Sequence, residues 1–278
     1  MRRGLKNQPA LSQLFAACAL LILALIIPLV FKSEGSDAKT ENLIRTLQLG
    51  AFALSYIMSG LLVLKRFVFS VMKKSLSLEI FISLGSLGAI FFREYAAACS
   101  VMIIYSAALL VLKKISGITA GQLCGPDFEE ENDSLPKLRL YELEGDDDIL
   151  AGKSAVFIRK YMLISLILFF ALVLIPSTAM GGGKNLLMEW LRHGVEYLIA
   201  AEPGVFYIFL PLLLLWGREK SLKTKLNVYR LIIIFSLIVK IAALLLCILK
   251  ISNIWALVAA EAITIFAGFA AGLFLKRK

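Results

Sequence analysis

Three ionisable residues sit inside stretches of this chain that are apolar enough to cross a membrane: Glu202, Lys240 and Glu261. Glu202 opens a Glu-Pro-Gly sequence within the otherwise uncharged run from Leu198 to Pro211. A helix there cannot stay regular. Pro203 has no N–H to donate, and its ring crowds the carbonyl four residues back, at Ile199. That carbonyl is expected to be left free, which costs several kcal/mol inside a bilayer. Gly204 loosens the same turn. A broken backbone beside an intramembrane carboxylate supplies what a mid-membrane cation site needs. The same residues also fit a plain proline kink, with a protonated Glu202 hydrogen-bonded to a neighbour.

Lys240 lies in Ile238-Val239-Lys240-Ile241-Ala242, and Glu261 in Val258-Ala259-Ala260-Glu261-Ala262. Lys240 is too deep in its helix to reach water by extending its stem. Opposite charges on consecutive helices predict a mutual ion pair. That pair can be a lock between the two helices, or part of a site whose third member, Glu202, brings a net negative charge. The candidate ligands are hard oxygens, Glu202 and Glu261, with Lys240 as charge partner and Pro203 and Gly204 as the helix break. Such donors suit Mg²⁺, Mn²⁺ or Ca²⁺, and Zn²⁺ also takes carboxylates. Glu196 and His193, the single histidine, lie six and nine residues before Glu202 and are expected to be interfacial rather than central.

The elements that hold these residues follow from composition. The chain has 278 residues, is 59% hydrophobic and has a mean hydropathy of +0.83, as expected of an all-α polytopic membrane protein. Its net charge of +10 could signal nucleic acid, but the basic residues cluster at helix ends, where they set orientation. Cys18, Cys99, Cys124 and Cys247 form no CxxC pair and read as small apolar residues rather than a disulfide framework or a thiolate site.

Eight spans are predicted. Helix one covers 11–31 and is expected to be retained rather than cleaved. Helix two covers 43–64, with a break at Ser59-Gly60 and an amphipathic platform at 65–74. Helices three and four cover 77–92 and 95–112, and Gly85 and Gly88 suit close helix approach. Residues 113–155 read as a soluble loop, in which Asp146-Asp147-Asp148 is a weak candidate for a divalent ion. Helix five, 156–177, stops at Pro176; helix six is 186–216, followed by a short loop at 217–226; helices seven and eight are 227–250 and 253–275. The basic residues fall on one face of this arrangement, which places both termini in the cytoplasm of a cell with the protein in its cell membrane.

This pattern resembles the membrane domain of the heavy-metal-transporting P-type ATPases, most closely the zinc/cadmium/lead branch. Ser59-Gly60 and Lys65–Lys74 look like that family's kinked second helix and cytosolic platform. Phe92–Met102 is similar to its Gly-Glu-Tyr-Pro-Glu-Ala-x-x-x-Val-Met. Pro203 and Pro211 keep the proline spacing of its sixth span, with Glu202 and Gly204 where the family has the two cysteines of Cys-Pro-Cys. Lys240, Trp255 and Glu261 reproduce the register of its Lys, Trp and acidic residue in the last two spans.

The departures are as specific. No Asp-Lys-Thr-Gly and no Thr-Gly-Glu occurs, the loop at 217–226 stands where the nucleotide-binding and phosphorylation domains would be, and the loop at 113–155 stands for the actuator domain. Ala97 and Leu109 occupy positions that are acidic in the family. Without the aspartyl nucleophile the chain is expected to be no ATPase. The resemblance implies a degenerate, metal-binding pump relative that binds or passively passes a divalent cation, Zn²⁺ or a harder ion, with no nucleotide. The alternative is a non-transporting scaffold or regulatory partner of another membrane protein, its buried charges structural. Expected partners are the lipid bilayer and a membrane protein or a second copy, with no nucleic acid.

Overall fold

The protein is described from a computed structural model covering residues 11–31, 38–72, 79–116, 146–179, 184–204, 209–210, 212–213 and 221–276. Among these residues there is no strand. The long helices are α1 (Leu11–Phe31), α2 (Ala38–Met72), α3 (Glu79–Phe91), α4 (Tyr95–Ser116), α5 (Asp146–Ala179), α6 (Lys184–Ala200), α7 (Leu222–Ile248) and α8 (Trp255–Lys276). Each corresponds to one of the eight expected helices. Three described helices, α1, α7 and α8, are long and apolar enough to cross a membrane, and α2 makes a fourth if its bent halves count as one span. At 13 residues α3 is about 20 Å long and falls short of a bilayer's hydrocarbon thickness by itself.

Local chemistry accounts for several boundaries. Ser221 caps α7 by accepting from the Thr224 N–H at 3.4 Å. The α3–α4 turn closes with Glu94 N–H donating to Ala89 O at 2.9 Å, and leaves Arg93 at φ 64. The α7–α8 turn repeats the device: Ile251 N–H donates to Leu246 O at 3.0 Å and Lys250 has φ 57. Both turns put a basic residue in the left-handed conformation that glycine usually supplies.

Three sequence expectations need correction. The acidic triplet at 146–148 begins α5 rather than lying in a loop. The predicted loop at 113–155 therefore shrinks at both ends, and 117–145 lies outside the described residues. At its other end α5 runs past Pro176 to Ala179. Finally, α2 is not interrupted at Ser59-Gly60; it bends by 61° between Leu61 and Val63. Ser106 of α4 donates to the Ser59 carbonyl at 2.7 Å, the oxygen that the Val63 N–H would use in a regular helix. A side chain entering the ladder is a recognised cause of a sharp kink. Beyond the bend the platform is described to Met72, and Lys73 and Lys74 lie outside the described residues.

The interior joins α2, α3, α4 and α6 through Tyr56, Phe81, Met102, Tyr105, Leu198 and Ile199. The small residues of α3 act as expected. A β-carbon at Gly88 would come within 3.0 Å of Val195 Cγ1, and one at Gly85 within 2.8 Å of Ile199 Cγ1, so both are needed for α3 to lie against α6. Ala97 and Leu109 are buried apolar core.

Candidate cation site at the broken helix

The path of the chain at Glu202 follows from proline chemistry. α6 ends at Ala200, residues 201–203 are non-helical, and helical backbone resumes at Gly204. The break is where the Glu-Pro-Gly sequence predicts it, but the orphaned carbonyl is a different one. Ile199 O is taken by the Glu202 N–H at 3.4 Å, as the last turn tightens to spare it. The carbonyl that becomes available is that of Glu202, and the Lys240 ammonium donates to it at 2.5 Å.

Lys240 comes from the middle of α7 and meets both carboxylates. Its Nζ lies 2.5 Å from Glu261 Oε2 on α8 and 3.5 Å from Glu202 Oε2. The three residues expected to converge from three separate segments do converge. All are deeply buried, with relative exposures of 2% for Glu202, 3% for Lys240 and 1% for Glu261. Two carboxyl groups and one ammonium meet in a setting with little water to screen them. The Glu202 and Glu261 carboxyl groups also meet each other, and the Gly204 N–H lies within reach of the Glu202 carboxyl group.

Two supports reach the site that the sequence did not single out. Thr264 donates to Glu261 O at 3.0 Å, one turn along α8. Tyr161 of α5 is close enough to interact electrostatically with both Lys240 and Glu202, and reaches Ser165, which also serves Tyr197 of α6. A tyrosine in an apolar helix carries no spacing signal, so only the packing of α5 on α6 and α7 reveals it. Trp255, which shares the register of Lys240 and Glu261, is at the start of α8 and 40% exposed, away from the charges. Pro203 and Gly204 are both buried at the break, and Pro211 lies outside the described residues.

Glu196 is buried inside the protein, its side chain 4% exposed and held by Arg192 and His193 of its own helix. His193 Nδ1 is 2.9 Å from Glu196 Oε2, and no direct contact links it to the Glu202 site. Cys99 and Cys247 are buried and donate to backbone carbonyls, of Phe52 at 3.4 Å and Asn253 at 3.2 Å, while Cys18 is half-buried and Cys124 lies outside the described residues.

Chemically, the break presents two carboxylates and one backbone carbonyl, all hard oxygen donors. No group of three or more His, Cys, Asp or Glu side chains gathers into a metal cluster among the described residues. A four-ligand protein-only zinc cage is therefore not built there. A proton, or a divalent ion that keeps part of its water shell and takes one or two carboxylates, matches the donor set better. The chain matches no protein-family model, no curated protein and no solved structure.

Proposed function

We propose that this chain is a membrane protein that binds a cation at Glu202 and Glu261, with Lys240 as the built-in charge that occupies the place of the ion when it is absent. In this reading the eight helices are eight passes of a pump-like membrane bundle, related to the heavy-metal P-type ATPases but without their engine, and both termini face the cytoplasm. The cargo is a divalent metal ion in partly hydrated form, and the chain binds it or lets it pass downhill, since it carries no aspartyl phosphorylation motif. One observation carries the reading. Two acids and one lysine from three separate segments meet in one buried cluster, with the Lys240 ammonium against both carboxyl groups and the Glu202 carbonyl.

The test is calorimetric titration of the purified chain in lipid nanodiscs with Mn²⁺, Mg²⁺ and Zn²⁺, beside ion uptake into proteoliposomes. Binding by the wild type that falls at least tenfold in Glu202→Gln and in Glu261→Gln supports the site. No binding and no uptake by the wild type ends the reading.

The second reading is that of a scaffold or regulatory partner, and the short contacts of Lys240 favour it. At 2.5 Å from both Glu261 Oε2 and Glu202 O, the ammonium ties the broken segment to α7 and α8, as a structural lock would. A stoichiometric membrane partner recovered equally by wild type and Glu202→Gln, with no cation bound, would establish this reading instead.

A further inference from the structure

A second ion-pair network lies along α6 about one and a half to two and a half turns before the break, and neither reading of the site uses it. Arg192 is its centre. Its Nη2 donates to Glu94 Oε1 at 3.2 Å, on the turn between α3 and α4, and its Nε lies 3.4 Å from Glu196 Oε1. His193 Nδ1 holds the other oxygen of Glu196 at 2.9 Å, and the Trp190 ring covers His193 edge-on at 6.3 Å. Further along the same face Lys250, on the α7–α8 turn, donates to Glu189 at 2.5 Å.

These groups run from partly exposed to buried. The side chains of Arg192 and Glu94 are 43% and 32% exposed, His193 is 23% exposed, and Glu196 is 4% exposed. Glu196 precedes Glu202 by six residues, about 9 Å along a helix axis. The α6 segment is thus held from both sides by two turns whose tips, Arg93 and Lys250, sit in the left-handed region at φ 64 and 57. Strained residues of this kind persist where surrounding contacts hold them, and they recur at switch segments. The break at 201–203 leaves the clasped part of α6 without a continuous helical connection to the part after it.

We propose that the Arg192 cluster is a gate on the cation site: Arg192 bridges Glu94 and Glu196 and so closes the route from this end of the molecule to Glu202. Opening it begins when one guanidinium leaves one partly exposed carboxylate, which releases α6 from the α3–α4 turn while the packing of Val195 and Ile199 on α3 still positions the helix. Glu196 then becomes a negatively charged step between the surface and the site. This inference rests on the reading of Glu202 and Glu261 as a cation site, but its test does not require any cation to bind.

The experiment uses the full chain in nanodiscs, with the four native cysteines changed to serine and Ala201→Cys introduced beside Glu202, where the native residue is 5% exposed. The reaction rate of that thiol with a cationic, water-soluble thiosulfonate reports access to the site. Arg192→Gln, which removes both bridges, and Glu94→Gln, which removes only the outer one, should each accelerate labelling at least tenfold over the parent. Arg192→Lys should lie between. Glu94→Gln leaves the buried Arg192–Glu196 contact intact, so it stays informative if Arg192→Gln fails to fold. Labelling within twofold of the parent in folded Glu94→Gln overturns the gate. Calorimetry on the same variants separates the two ideas: a chain that binds ions without any change in labelling has a site and no gate, and one that shows faster labelling but never binds has an access path and no cation site.

Discussion

A β-carbon on Gly204 would sit 2.8 Å from Oε2 of Glu202 and closer still to Oε1, within the 3.0 Å that real β-carbons essentially never breach. The carboxylate therefore curls over its own backbone and reaches Lys240 across the break, and it has room to do so because Gly204 lacks a side chain. Gly204→Ala should turn the carboxylate out of the ring while leaving both acids and the lysine in the chain. We expect ion affinity to drop ten- to a hundredfold, measured by calorimetry in nanodiscs. Affinity equal to the wild type would show that Glu202 does not act from this position.

The lysine is expected to matter most to the fold. Lys240→Met leaves two buried carboxylates with no ammonium between them, and breaking a buried pair from one side costs about 3–5 kcal/mol. The variant should unfold at a markedly lower temperature in detergent, followed by size-exclusion chromatography after heating. Adding Glu261→Gln removes one of the stranded charges, so Lys240→Met/Glu261→Gln should recover part of the loss, with a coupling of about 0.5–3 kcal/mol. Strictly additive losses would mean that the two residues do not act as a pair.

Much of this arrangement was legible in the sequence because its causes are local or few. Pro203 must interrupt a helix wherever it lies, and two acids and a lysine in apolar helices have few places to go except toward each other. What escaped depends on distant partners. The fate of the Ile199 carbonyl turned on whether Glu202 could tighten the preceding turn. Arg192, His193 and Glu196 share one helix, but the fourth member of their cluster, Glu94, comes from the turn between two other helices, a contact that position in the chain does not reveal. The bend in α2 falls past Ser59-Gly60 because the hydroxyl that enters the ladder comes from Ser106, 47 residues away. The eight helices follow from hydropathy, but which of them span a membrane does not follow from their number, since α3 is too short to cross unaided.

Ser106 gives a direct check on the origin of the α2 bend. Ser106→Ala deletes the donor to Ser59 O and releases that carbonyl to the helix ladder. The stability change should be small, about 1 kcal/mol, because the helix can recapture the acceptor. The geometry should change more: spin labels at Leu54 and Val68, both exposed and on opposite sides of the bend, should move apart as the 61° angle relaxes. An unchanged distance distribution, measured by pulsed electron resonance in nanodiscs, would place the cause elsewhere.

The contact between α3 and α6 sets the position of everything α6 carries, from the Arg192 cluster to Glu202. At Gly88 an added methyl would meet Val195 Cβ at 3.2 Å and Cγ1 at 3.0 Å, with the third carbon nearer. Val195 is β-branched and has little rotamer freedom with which to withdraw. Gly88→Ala should therefore force the helices apart, at a cost of about 1–3 kcal/mol typical of overfilled cores. Because Val195 is one residue from Glu196, that displacement should also lengthen the Arg192–Glu94 bridge, so access to a thiol at position 201 should rise together with the loss of thermal stability. Val195→Ala removes the colliding methyls, and Gly88→Ala/Val195→Ala should bring both readings back toward the parent. If stability recovers in the double variant but access does not, the spacing of α3 and α6 is not what holds the bridge in register, and the Arg192 contact must be set by the α3–α4 turn instead.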